Sequence, residues 1–321
     1  MSTFTEANIP MCVNWHVTET CNYGCNHCFA KWGKQREVWD DPDQAEHIIK
    51  GIANYVDTTV MIPKHFRLNI VGGEPMMNPD KLWNVVKIAK DCGAEVSMIT
   101  NGSHLEVIRP IAHMISQVGI SIDSFDHETN LKIGRACNGK TLSYEEIKEK
   151  IKYVQEINPK LKIKVNTVVN RYNFSEQLLY TVLALKPCKW KILRQMPFGE
   201  NKGISDFMFY SFIRNNYKEF DRHYDGCEIT IEDNNAMTES YLMISPDGRL
   251  FQNGSSEYSY SRPLTEVSFA EALQDIKFNE AKFDGRYDGS FTWQAVHAME
   301  KFFGIVKPVD PFDSIFNDIC L

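Results

Sequence analysis

Val13, Trp15 and Val17 fall on one side of Met11–Thr18, and Asn14, His16 and Thr18 on the other. A period of two predicts a half-buried strand. Behind Asp41 or Asp43, Ile48, Ile49, Ile52 and Val56 form a helical stripe that predicts a helix to about Tyr55. Strands follow at Phe66–Val71, Glu95–Thr100, Gly119–Ile122, Leu161–Val169 and Lys189–Met196. Between them lie helices at Asp80–Cys92, stopped by Gly93, at His104–Gln117, at Tyr144–Ile157 with a Ser143 cap, and at Ser175–Leu185. Such alternation implies parallel strands with helices packed outside. About six repeats predict an α/β fold, a partial (β/α)6 barrel; the pattern also allows an open sheet. Past residue 200 the rhythm breaks. A helix is expected at Asp206–Asp221, a short β-hairpin at Ser240–Ile244 and Arg249–Gln252 around Pro246-Asp247-Gly248, and helices at Phe269–Ile276 and Ala295–Phe303. Residues 1–200 are expected to form the barrel. Residues 201–321 are expected to form an irregular extension that closes the pocket within the same structural unit.

The strands carry one anomaly. Arg67 and Asn69 share a face, as do Lys162, Lys164 and Asn166, and Lys189, Lys191, Leu193 and Gln195. A sheet covered by helices keeps its covered face apolar, so these residues face the other way, into the lumen of a rolled sheet. Burying cations without partners is costly. Arg67, Lys164, Lys189 and Lys191 therefore predict a polyanion such as a triphosphate inside the barrel. Lys162 and Lys189, near strand starts, read equally well as snorkelling surface lysines.

Composition narrows the classes. The 321 residues are 43% hydrophobic and 24% charged, enough for one large core. No run of about 18 apolar residues predicts a membrane span. Met1–Pro10 reads as neither a signal peptide nor an amphipathic anchor, so a cytoplasmic, membrane-free protein is expected. A net charge of −7 argues against binding a nucleic-acid polymer and leaves room for a local basic pocket. Cys12, Cys92, Cys137, Cys188, Cys227 and Cys320 are scattered and read as free thiols.

The other three cysteines are not scattered. Cys21, Cys25 and Cys28 stand at C-x3-C-x2-C spacing just after the first strand. Three thiolates on one tight loop can hold three irons of a [4Fe–4S] cube and leave the fourth open for chemistry, whereas clusters that only carry electrons usually have four cysteine ligands. A structural zinc with His16 or His27 as fourth ligand is the alternative, and it lacks the second ligand knuckle such sites usually have. Gly72-Gly73-Glu74-Pro75 ends the second strand, where barrel-like folds carry their active sites. Its glycines permit close backbone approach, and its carboxylate can accept from an amine.

With Phe29 following, the cysteine spacing resembles that of the radical S-adenosylmethionine (SAM) enzymes. More narrowly, Cys21–Phe29 is similar to the cysteine loop of the viperin family. So are Asn14-Trp-His-Val-Thr18, Gly72–Pro75, Asn101-Gly-Ser103, Asp123-Ser-Phe-Asp126, Ile133-Gly-Arg135, Lys164-Val-Asn-Thr-Val-Val-Asn-Arg171, Lys189-Trp-Lys191 and Ser240-Tyr-Leu242. The match spans residues 12 to about 293. The resemblance implies a [4Fe–4S] cluster on Cys21, Cys25 and Cys28. It implies SAM held by Gly72, Gly73, Glu74, Asn101, Ser124 and Arg135, the last at the SAM carboxylate. It implies a 5′-deoxyadenosyl radical that removes the C4′ hydrogen of a nucleoside triphosphate (CTP, UTP or GTP). Loss of the 3′ oxygen as water, plus one electron and rearrangement of the double bond, then gives the 3′-deoxy-3′,4′-didehydro analogue, an antiviral chain terminator. Asn14, Arg67, Lys164, Asn166, Lys189, Lys191, Arg262 and Arg286 are the implied substrate contacts, with Tyr241 a proton donor near the ribose. An external one-electron donor, flavodoxin- or ferredoxin-like, is the implied partner. Peptide or cofactor maturation by radical SAM chemistry is the alternative, and Cys227 with Cys320 cannot build the extra cluster domain many such enzymes carry.

The chain departs from the family in places. It lacks the amphipathic helix of animal members. The family's Lys-rich triphosphate loop reads Gly-Ser-Ser-Glu-Tyr-Ser-Tyr-Ser-Arg at Gly254–Arg262, leaving Arg262 as its single cation. Arg286 stands at a shifted spacing from Trp293, and 28 residues follow that tryptophan.

Overall fold

Strand and helix alternate as the pattern predicts. The structure, a computed structural model, describes residues 10–33, 36–59, 65–197, 202–217, 223–224, 226–253 and 258–305. The six predicted strands form as β1 (Met11–His16), β2 (Phe66–Val71), β3 (Glu95–Thr100), β4 (Gln117–Ser121), β5 (Lys162–Val169) and β6 (Lys189–Arg194). They lie side by side in sequence order, every pair parallel. Two more strands extend the parallel set. β8 (Cys227–Glu232) joins β6, and β9 (Leu242–Ile244) joins β1. Antiparallel strands finish both ends: β7 (His223–Tyr224) beside β8, and β10 (Arg249–Asn253) then β11 (Tyr258–Pro263) beyond β9. The predicted hairpin is thus β9–β10, built into the main sheet. The sheet begins at β11 and ends at β7, an open partial barrel.

Outside it pack α1 (Pro42–Thr58), α2 (Pro79–Asp91), α3 (His127–Ile133), α4 (Tyr144–Gln155), α5 (Leu179–Ala184) and α6 (Asp206–Asn216). Asp41 caps α1 by accepting from the backbone N–H groups of Asp43 and Gln44, and Pro42 preorganises its first turn. Ala45, Ile48, Ile49, Ile52 and Val56 are its buried stripe. Ser143 and Glu146 close a capping box on α4. Val13, Trp15, Leu68, Ile70, Val96, Met98, Val118, Ile120, Ile163, Val165, Trp190 and Ile192 meet these helices as one buried layer. After α7 (Asn234–Met237) come α8 (Phe269–Gln274), α9 (Glu280–Asp288) and α10 (Ser290–Phe303). α10 rests on β8 and α6.

Three helices differ from expectation. His104–Gln117 is a 3-10 helix, Leu105–Met114, because Pro110 removes an N–H and blocks α winding. The helix expected at Ser175–Leu185 begins only at Leu179. α6 ends at Asn216; residues 218–221 of its expected range lie outside the described residues, as do residues 254–257 and 306–321, Cys320 among the latter.

One contact sets the active end of the sheet. The Gly72-Gly73-Glu74 turn lies directly on the chain leaving β1. Gly73 N donates to Thr18 O (2.6 Å) and Glu74 N to Thr20 O (2.7 Å). Gly72 has φ +149°, and a Cβ on Gly73 would stand 2.2 Å from Thr20 O. No side chain fits there. Gly73→Ala should therefore lower unfolding stability by at least ~2 kcal/mol in urea melts, whereas Gly51→Ala, where a Cβ meets nothing within 4 Å, should not.

Candidate active site

The cysteine loop is fixed on two sides. Gly24 N donates to Gly134 O (3.1 Å) and Asn26 N to Ile133 O (2.9 Å), so the loop lies on the C-terminal end of α3. Gly134 is left-handed at φ +85°, and a Cβ there would stand 2.4 Å from Gly24 O. On the other side Asn22 Nδ2 donates to Ser103 Oγ (3.0 Å). Asn101 Nδ2 donates to Asn22 Oδ1 (2.8 Å) and stands 3.9 Å from Cys21 Sγ. Arg135 Nη1 is 3.9 Å from Cys25 Sγ and 3.1 Å from Asp123.

Burial pushes the Cys25 thiol up to about 11; Arg135 opposes this, while Asp123, Cys28 and Cys21 add to it. Burial likewise raises Cys21, with Glu74 and Cys28 contributing. The three sulfurs thus sense one another, and a cationic cluster is what would draw them to thiolates. Three thiols on one loop are the donor type that three irons of a cube take, and among the described residues no three His, Cys, Asp or Glu side chains are gathered to hold a single metal ion. His16 sits instead among Phe29, Trp32 and Phe251, and His27 Nε2 faces Asp123 at 3.5 Å.

Glu74 is fully buried, and both its oxygens are engaged. Thr100 Oγ1 (2.8 Å) and Met76 N (3.2 Å) donate to Oε1, and Asn101 N (2.6 Å) to Oε2. Expected from the sequence as an acceptor for an amine, it braces the ends of β2 and β3. Burial raises it to about 7 against these donors. Beside it Asn101, Ser124 and Arg135, which the sequence grouped only by resemblance, line one narrow cleft with Tyr23, Ser121 and Ile122. Ser124 donates to Glu176 (2.8 Å) and accepts from Asp126 N (2.9 Å). A second, wider cleft, about 320 Å³, is lined by Asn26 and His27 of the same loop, with Arg171, Tyr172, Gln195 and Lys202.

The predicted basic face exists, and the register places it. Lys164 pairs with Lys189, Asn166 with Lys191, and Arg67 with Glu95. The expectation of unpartnered cations needs correction, because carboxylates from neighbouring strands meet most of them. Arg67 binds Glu95 (2.8 Å), Lys189 binds Glu228 (3.3 Å), and Lys191 and Arg286 share Glu232 (2.5 and 3.4 Å). Lys191 also donates to Tyr241 Oη (2.7 Å), whose hydroxyl donates to Glu232. Arg286 stacks 3.5 Å from the Tyr241 ring centre. Lys164 alone of this set has no carboxylate within salt-bridge reach among the described residues. Burial, then Lys189 and Arg286, lower it to about 8, with Cys12 and Glu232 opposing.

Buried polar atoms on this face also lack partners: Asn166 Nδ2, Thr230 Oγ1 and Arg67 Nε. Asn14 is already committed. Its Oδ1 accepts from Asn69 (2.7 Å) and its Nδ2 donates to Leu242 O (3.2 Å). Arg262 stands apart, 54% exposed and bound to Asp275 at the end of α8.

Residues 15–180 match the radical SAM superfamily. A relative from Fibrobacter sp. (strain UWH6) is 51% identical over 96% of this chain and 96% of its own length. Its name is S-adenosylmethionine-dependent nucleotide dehydratase. The chain belongs to the viperin-like branch of the radical SAM superfamily. A second relative of the same name, from Psychrobacter lutiphocae, is 41% identical over 88% of this chain and 96% of its own. The fold is shared with native anSMEcpe with bound AdoMet (TM-score 0.63, 13% identity, 91% of this chain and 96% of that one). It is also shared with Streptococcus suis SuiB (TM-score 0.55, 14% identity, 87% and 68%). No helix among the described residues of this radical SAM chain is long and apolar enough to cross a membrane.

Sequence reasoning missed Glu95, Glu176, Glu228 and Glu232. For two of them the signal was there: Glu228, Thr230 and Glu232 alternate with Ile229 and Ile231. Glu74 generates a pH prediction. Its folded value lies above the ordinary 4.5, so the folded chain keeps the proton longer. Its contribution is most favourable below pH 4.5 and falls, by roughly 3 kcal/mol, as pH rises to about 7. The wild-type minus Glu74→Gln difference in urea-melt stability of the apoprotein should follow that fall.

Proposed function

We propose that the chain is a radical SAM nucleotide dehydratase that acts on CTP, UTP or GTP. It would form the 3′-deoxy-3′,4′-didehydro nucleotide in the cytoplasm, with an external one-electron donor. One observation carries this reading. The inner face of the sheet joins a surplus of cations to unpartnered buried polar atoms, in a chain whose first strand leads into a three-cysteine loop. Buried polar groups in native proteins are seldom left unpaired without a ligand to meet them. The names of the relatives support the same activity.

Cys21, Cys25 and Cys28 would hold the [4Fe–4S] cluster, and the Asn101–Ser124–Arg135 cleft would hold SAM against it. When bound, cluster and SAM together supply a 5′-deoxyadenosyl radical. The chain's own residues bind, orient and exclude water. Lys164, Lys191 and Arg286 would meet phosphate oxygens, and Asn166 Nδ2 would donate to the substrate. Arg67 and Lys189 reach the same lumen already ion-paired. Burial first, with Glu232 adding to it, raises Tyr241 well above the ordinary tyrosine value, so its hydroxyl keeps its proton at neutral pH.

Anaerobically reconstituted protein should be brown and carry four irons. Given a reductant and SAM, it should release 5′-deoxyadenosine when CTP, UTP or GTP is added, together with a nucleotide lighter by one water. Cys25→Ala should lose both the iron and the product. A colourless zinc protein, or no nucleotide-dependent 5′-deoxyadenosine with any of CTP, UTP, GTP and ATP, would refute the proposal.

A further inference from the structure

Glu232 ends β8 and faces the lumen beside Lys191, its side chain buried. Three groups from three parts of the chain converge on it. Lys191 comes from β6 at 2.5 Å, Arg286 from α9 at 3.4 Å, and the Tyr241 hydroxyl from the segment before β9. Arg286 Nη1 also donates to Ser240 O (3.0 Å), tying α9 to that segment. Burial alone would raise the Glu232 carboxyl; Lys191 and Arg286 overcome this and hold it at about 2, so it is ionised.

One negative charge here serves two positive ones, and Lys164 on the neighbouring strand adds a third. Glu232 thus occupies the place an anion would take between Lys191 and Arg286. Burial, with Arg286 and Lys164 adding to it, already holds Lys191 well below the ordinary ammonium value, and Glu232 is the group that opposes this; without that carboxylate Lys191 would give up its proton. Arg286 would stay charged, because guanidinium does not deprotonate in proteins.

We infer that Glu232 is an internal counter-anion and positioning residue. It holds Lys191, Arg286 and Tyr241 in register while the lumen lacks an anion, and it competes with an entering phosphate for the two cations. The phosphate identity rests on the nucleotide reading above; the competition does not depend on the base or ribose. Removing the carboxylate charge therefore has two opposite effects. Phosphate binding tightens, because a repelling charge has gone and the entering anion is itself the counter-charge under which Lys191 takes up its proton again. Turnover slows, because the Tyr241 hydroxyl loses the charged acceptor that fixes it.

Titration of the reconstituted protein with inorganic triphosphate tests the first effect. Glu232→Gln should bind it about tenfold more tightly than wild type, and Glu232→Asp, which keeps the charge, should not. In nucleotide turnover Glu232→Gln should lower KM and kcat together, whereas a merely structural lesion lowers kcat without tightening binding. Lys191→Met and Lys191→Met/Glu232→Gln complete the cycle; if Glu232→Gln alone fails to fold, the double variant carries one buried cation fewer, with Arg286 the charge left without its carboxylate. Lys191→Met should weaken triphosphate binding by about tenfold, and adding Glu232→Gln should recover most of that loss. Glu232→Gln binding no better than wild type overturns the inference, as does a double variant no better than Lys191→Met. Nucleotide turnover with a flat cycle refutes Glu232 alone, and a positive cycle without turnover refutes the nucleotide reading alone.

Discussion

Charge on the inner face of a parallel sheet has to be balanced, and here the balance is left incomplete. Helices cover the outer face, so Val13, Leu68, Val118, Val165 and Trp190 spend the apolar alternation of their strands there. The intervening positions must face inward, and they are polar or charged. Glu95, Glu228 and Glu232 neutralise part of that face, while Lys164 and one of the pair Lys191 and Arg286 remain in excess. A surplus of buried cations is unstable in isolation. It is the property from which we infer a polyanionic ligand in the lumen.

The second constraint is steric. The turn after β2 sits on the chain leaving β1, with only glycines at the contact, and the cysteine loop sits on Gly134 after α3. Glu74 then ties the turn to the end of β3. These contacts make β1, β2, β3 and α3 a single rigid frame around Cys21, Cys25 and Cys28. The Asn101–Ser124–Arg135 cleft lies on that frame.

Much of this was legible in the sequence, for physical reasons. Alternation with period two exposed both faces of β1, β2, β5 and β6, because one face had to be apolar. The cysteine spacing and the glycine turn were legible because few sequences satisfy such close approach. Less visible were partners that come from distant strands. Arg67 and Lys191 read as unpaired because nothing local shows that Glu95 and Glu232 will stand beside them. The strand Cys227–Glu232 alternates as clearly as the others, but it follows a break in the β-α rhythm, so its carboxylates were not placed on the same face. Arg262 went the other way: it is a cation by type, yet β11 carries it to the surface, where Asp275 takes it.

The central claim is that the lumen presents the ribose of a nucleotide to a radical formed beside the cysteine loop. Isotope transfer reads this directly. A nucleoside triphosphate carrying deuterium at C4′, turned over anaerobically with SAM and reductant, should deliver that deuterium into 5′-deoxyadenosine, seen by mass spectrometry as a gain of one mass unit. Deuterium retained in the nucleotide, while 5′-deoxyadenosine forms unlabelled, would contradict the account.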